Sequence, residues 1–182
     1  MTVSSLRSAL RDGTSALHLE LDNAVGEFGD RLGYADFVQK THRFRLAVEQ
    51  ALAGAPEGSW AVEPIADLAA HDLADLGVPK LPEAEVPSRD WTPESRLGAL
   101  YVLEGSALGA RLLMRRAQAL GLHADFGARH LAHQASDSQR WRGFLGVLES
   151  VPSDMHATVL SAARDMFGVA LAIYSETAHE CA

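Results

Sequence analysis

Cysteine is almost missing from this sequence: there is one, Cys181, next to the last residue. An internal disulfide needs two and a thiolate metal cage needs more, so both are excluded, and a reducing compartment is expected. Basic residues are also in the minority, with 16 Lys and Arg against 24 Asp and Glu and a formal net charge of −8. A polyanion partner requires a basic footprint, so the balance speaks against nucleic acid and anionic membrane surfaces. It leaves room for a small anion held by a few well-placed arginines. No run approaches the ~18 uncharged apolar residues of a membrane span, and Arg7 and Arg11 interrupt the N-terminus before a signal core can form. The expectation is a cytoplasmic protein with no membrane segment. Period-two alternation, internal repeats and low-complexity runs are missing too, as are Gly-x-Ser-x-Gly, P-loop, dinucleotide and paired Glu-x-x-His motifs.

What remains is helix. The 182 residues are 47% hydrophobic and 22% charged, enough to bury one core, and a single domain over 1–182 is expected. Residues 4–26 have Ser4 or Ser5 to cap them and Leu6, Leu10, Leu17, Leu21 and Val25 along one side. Residues 34–53 and 63–76 follow, the latter ending at Gly77 with Pro79 beyond. Residues 79–91, with Pro79, Pro82 and Pro87, read as an extended connection. A long helix starts near Thr92, with Pro93 and Glu94 in its first turn, and runs to about Leu120. Three more, over 126–134, 136–150 and 153–178, complete an all-α fold whose short connections favour antiparallel neighbours.

Two of these helices carry more than packing. In the first, Arg11 and His18 are seven apart and share a face, with Thr14 between them and Asp22 four residues beyond the histidine. A neutral imidazole with an acid on its second nitrogen is the usual setting of a metal-ligating histidine, although the same pair also forms on plain helix surfaces. Arg11 could meet an anionic group about 10 Å along the axis. In the long helix, Gly105 and Gly109 strip one face of side chains, at a cost on the order of 2 kcal/mol in helix propensity. Close helix packing would offset that cost, and so would a flat ligand lying on the backbone, with Tyr101 at its rim. The remaining histidines form no convincing cluster; His130 and His133 could share a face, but no acid ligand accompanies them.

Together the two helices resemble a bacterial-type, biliverdin-producing heme oxygenase. Leu6 to Asp22 (LRSALRDGTSALHLELD) is similar to the proximal helix of that family, and Leu97 to Leu112 (LGALYVLEGSALGARL) to its distal helix. Tyr34 to Leu52, Asp72 to Leu81 and Gln139 to Glu149 follow the family order, so the likeness spans essentially the whole chain. It implies a heme sandwiched between the two helices. His18 would be the proximal iron ligand, with Asp22 on the other ring nitrogen. Arg11, Tyr101 and Arg142 would contact the propionates, Arg140 being an alternate for the last. Gly105, Ser106 and Gly109 would lie over the distal face. The implied reaction cleaves heme to biliverdin, CO and ferrous iron, using O₂ and electrons from a separate donor, a ferredoxin or flavoprotein reductase. A heme-binding or trafficking protein on the same fold is the alternative. Two positions depart from the animal-type pattern: Ser106 stands where an Asp organises the distal water, and Ser138 where a Lys meets a propionate. A monomer is expected, since no long apolar face is left over.

Overall fold

Helices begin here where a side-chain oxygen can take up free backbone N–H groups. The protein is described by a computed structural model over residues 5–176, except 55, 57, 58 and 138. Ser5 accepts from the N–H of Ser8 and opens α1, Leu6–Val25. Asp30 accepts from Gly33 at 2.8 Å and opens α2, Arg31–Ala51, three residues earlier than its apolar pattern suggested. The first N–H groups of α3, Ile65–Leu76, are capped from a distance, by the carboxylate of Glu49 on α2. Thr92 caps α4, Pro93–Ala119. Then come α5, Arg129–Ser136, α6, Arg140–Glu149, and α7, His156–Tyr174, the last preceded by one 3₁₀ turn at Ser153–Met155. Asp137 separates α5 from α6 by accepting from the N–H groups of Gln139 and Arg140, both at 2.9 Å. Among the described residues these seven α-helices are the only extended elements besides that turn, so the fold is all-α as expected. Residues 78–92 are an extended connection. Ser4, Ser138 and Cys181 lie outside the described residues.

Packing is organised around α7, against which both α1 and α4 lie. The α4–α7 crossing is tight. A methyl group placed on Gly98 would overlap the carbonyl oxygen of Val159 and stand 2.7 Å from Cβ of Ala162 and 2.9 Å from the Ala163 nitrogen. Only glycine lets the two backbones approach this far. Around the crossing Leu6, Leu10, Leu100, Leu103, Phe144, Leu148, Met166 and Ile173 form one buried core. A second core lies under the other half of α4, where Ala110 and Ala117 meet Tyr34, Phe37, Leu73 and Leu131 from α2, α3 and α5. The apolar demand of these cores amends one expectation. Both α4 and the segment 153–174 reach a mean hydropathy of 1.3 over 18 residues, enough by length and composition for a membrane span, yet here they are the central pair of a helical core.

α5 is clamped onto α3 by a buried acid. Asp72 is inaccessible to solvent; it accepts from the backbone N–H groups of Arg129 (2.9 Å) and His130 (3.0 Å) and stands 2.7 Å from His130 Nδ1. The Arg129 guanidinium bonds both Asp72 and Asp75. His133, one turn on, faces Glu63 at 3.4 Å. Both histidines therefore do have acid partners, supplied by the fold from segments far away in sequence. Burial by itself would raise the Asp72 carboxyl, but the His130 side-chain and backbone hydrogen bonds, the His130 charge and the Arg129 N–H outweigh it and hold it below the usual 3.8.

Two outcomes are expected. Gly98→Ala should lower the urea midpoint by the equivalent of about 2 kcal/mol or more, with an unchanged slope, because two main chains would have to separate. A carboxyl depressed in the folded state stabilises above its unfolded pKa and loses that contribution as pH falls through its folded value. The midpoint should therefore fall between about pH 5 and about pH 3, and Asp72→Asn should reduce that acid dependence while destabilising at neutral pH by about 3 kcal/mol.

Candidate functional site

α1 and α4 run side by side with little direct contact, each carried on α7. They are joined at two levels. At one, Tyr101 of α4 reaches Arg11 and Thr14 of α1, and at the other Arg116 bonds Glu27 (2.7 Å) and the Gly26 carbonyl (3.4 Å) just past the end of α1. Fifteen residues of helix separate Tyr101 from Arg116, about 22 Å. Between the two ties the helices leave an open cleft.

One wall is the second half of α1. Its buried positions stop at Thr14, and beyond it the helix presents His18, Leu19 and Asp22 to solvent. A cavity of about 310 Å³ is lined by these residues with Arg11, Thr14, Ser15 and Tyr101. The sequence pairing of His18 with Asp22 is realised: Nδ1 stands 3.2 Å from Asp22 Oδ2. The ring also lies against Phe167 of α7, with centroids 5.7 Å apart. With Nδ1–H donated to the carboxylate, the Nε2 lone pair of a neutral imidazole is left for a ligand. Among the described residues no three His, Cys, Asp or Glu converge on a metal position. His18 could thus offer a metal ion a single protein ligand.

The other wall is the glycine face of α4. A Cβ on Gly109 would meet nothing within 4 Å, and one on Gly105 would meet only the Trp141 ring, at 4.0 Å. These two glycines are therefore not a helix-packing device, in contrast to Gly98. Leu108 and Leu112 share their face and are 62% and 46% exposed, while Leu19 across the cleft is 64% exposed. Large apolar side chains left in water on both sides of a cleft mark a binding surface. Bare backbone, apolar flanks, a free imidazole nitrogen and an arginine at the rim fit a flat, apolar ligand with an anionic edge.

Tyr101 closes one end of that cleft. Its burial pushes the phenol up from its usual pKa, against the opposing influence of the Thr14 hydroxyl and the charges of Arg11 and Arg7, so it stays a hydrogen-bond donor. Arg11 is exposed and rests on Asp12, with Nε 3.0 Å from the carboxylate. The α6 residue that reaches this corner is Trp141, 5.8 Å from the Tyr101 ring; Arg142 next to it is exposed, touches Gln139 at 3.4 Å and does not line the cavity. Arg140 is committed elsewhere. It grips the buried Glu104 with Nε and Nη2, bonds the Ala61 carbonyl and lies over the Trp60 ring, whose Nε1 also donates to Glu104. Ser106 is exposed and accepts from Gln134 of α5 at 3.1 Å. Phe167 and Trp141 gave no signal in the sequence, because each reaches His18 or Tyr101 from a helix remote in the chain.

Comparison with known proteins agrees with this geometry. No family model matches the chain. It is similar to the heme oxygenase PigA of Pseudomonas aeruginosa, with 37% identity over 149 residues that cover 76% of this chain and 74% of that protein. In three dimensions it resembles the NO- and CO-bound heme oxygenase of Neisseria meningitidis, with a TM-score of 0.69, 26% identity, and coverage of 96% of this chain and 94% of that one.

The open space at Gly109 makes a simple test. Gly109→Ala adds a methyl that touches nothing and removes a helix-weakening glycine, so the ligand-free protein should gain up to about 1 kcal/mol in chemical denaturation. A packing glycine would give a loss.

Proposed function

The chain belongs to the heme oxygenase family, and we propose that its cleft would hold heme through His18, with Nε2 free to ligate the iron and Asp22 fixing the ring through Nδ1. One observation carries the assignment: a solvent-exposed imidazole, bonded at one nitrogen and free at the other, lines a cavity closed by Tyr101 of α4, one turn before the uncovered Gly105. The protein is a heme oxygenase, and its reaction converts heme to biliverdin, CO and ferrous iron. Heme is both the substrate and the source of the redox chemistry, reacting with O₂ once its iron is reduced.

The residues of the chain bind, orient and enclose. Phe167 keeps the His18 ring from turning, and the Asp22 carboxylate fixes which nitrogen faces the ligand. Leu19, Leu108 and Leu112 give the macrocycle the apolar contact it needs and exclude water from its faces. Arg11 and the protonated Tyr101 supply a charged and a neutral donor for propionates at one end. Arg142, exposed beside Trp141, is the arginine on α6 available to a propionate, since Arg140 already serves Glu104. Gly105 and Gly109 would offer bare backbone to the distal side of the ligand, where a side chain would take up room that O₂ needs. In this reading O₂ is the oxidant and a separate ferredoxin or flavoprotein reductase supplies the electrons. We assign this work to a monomer.

The test is turnover. Equimolar hemin should bind with a His18-dependent Soret band, and reductant with O₂ should bleach that band as biliverdin absorbance grows. A stable Soret band under those conditions would mark a heme carrier instead of an oxygenase. His18→Ala should bind heme more weakly and lose turnover; wild-type ligation spectra in that variant would overturn the ligand assignment.

A further inference from the structure

α5 is fastened to α4 at two points that bracket Gly109. Gln134 Nε2 donates to Ser106 Oγ at 3.1 Å, and Arg111 Nε donates to the Ala135 carbonyl at 3.4 Å. Between them Gly109 has neither a side chain nor a neighbour that would hold it. The Ser106 hydroxyl has one proton, which goes to the Leu103 carbonyl at 2.6 Å. Toward Gln134 it can only accept, so the amide must present its NH₂ group there. Ser106 is thereby consumed in joining helices, and the Gln134 carbonyl oxygen is the polar atom of this pair left for water. The other end of α5 is held by the Asp72 clamp, with three hydrogen bonds to a fully buried carboxylate. A short helix anchored at one end and bonded to α4 on both sides of a glycine acts as a splint.

We propose that Gln134 is a positioning residue for heme cleavage: through Ser106 it holds the Gly105–Gly109 backbone at a set height over the distal face of heme, and so governs which meso carbon is attacked. This rests on the heme oxygenase reading of the cleft. Backbone that lacks side chains and neighbours keeps its place only by its own helix hydrogen bonds, which glycine weakens, or by an external fastening. Two fastenings flank Gly105: Arg140 and Trp60 hold Glu104 on the α6 side, and Gln134 holds Ser106 on the side that leads to Gly109.

Two readouts test it, one of which needs no heme. In the ligand-free protein, Gln134→Ala should exchange the amide hydrogens of residues 105–110 about fivefold faster, the effect of one lost neutral hydrogen bond, while those of α7 keep wild-type rates. In the heme complex, Gln134→Ala should change the ratio of biliverdin isomers. Ser106→Ala should reproduce both changes, and the double variant should add nothing to either, as for two partners in one interaction. Wild-type exchange at 105–110 together with a wild-type isomer ratio in Gln134→Ala would overturn the proposal. So would faster exchange throughout α7, because Gln134 would then merely stabilise the fold. A wild-type complex that leaves heme intact would overturn the oxygenase reading and this role with it, and is distinguished by its failure before any substitution is made.

Discussion

Two helix backbones meet at Gly98, and the cleft depends on that meeting. α4 lies so close to α7 there that a single methyl would strike Val159, Ala162 and Ala163. Because α1 is packed on α7 as well, the crossing sets the distance between α1 and α4 without those two helices touching much. Gly13 helps on the other side: its carbonyl accepts from Arg164 Nε at 2.9 Å, and Leu160 fills the space that a side chain on Gly13 would need. Its loss of helix propensity is offset by that packing. Two surfaces supported on a common base, and tied only at their ends, leave a slot whose width follows from the base.

Glycine does opposite work at different points of α4. At Gly98 the missing side chain lets protein approach protein. At Gly105 and Gly109 it leaves a surface that no part of the protein covers. The spacing of the residues is silent on this difference, since all three are mid-helix glycines in similar apolar company. Substitution separates the two kinds, because the first resists any added atom and the last has room for one.

Charge follows a similar division. The net −8 is spread over a surface on which most arginines are already committed: Arg45 to Glu49, Arg129 to Asp72 and Asp75, Arg140 to Glu104, Arg116 to Glu27. Arg11 is different, since its partner Asp12 is its own exposed neighbour in the helix. An exposed adjacent pair is worth little in water and is easily given up for an anionic ligand.

Helix content, the approximate span of every helix and the His18–Asp22 pair were legible in the sequence, because each is a local matter. A heptad of leucines, a capping hydroxyl and an i,i+4 acid act within two turns of backbone. Boundaries were misjudged where the cap came from afar, as when Asp72 opens α5, or from a nearby acid that the apolar pattern does not include, as with Asp30 and Asp137. The acid partners of His130 and His133 were invisible for the same reason. The motif of the long helix named the residues over the cleft, but not that Ser106 turns to Gln134, that Arg140 is held by Glu104, or that Phe167 steadies His18. By itself the sequence determined which helices form and that His18 has an acid within reach one turn on, since short-range hydrogen bonding and periodicity decide both. Only the tertiary structure decided which glycines are packed and which are bare, and which arginines are free, because those depend on atoms brought together by the crossing of helices far apart in the chain.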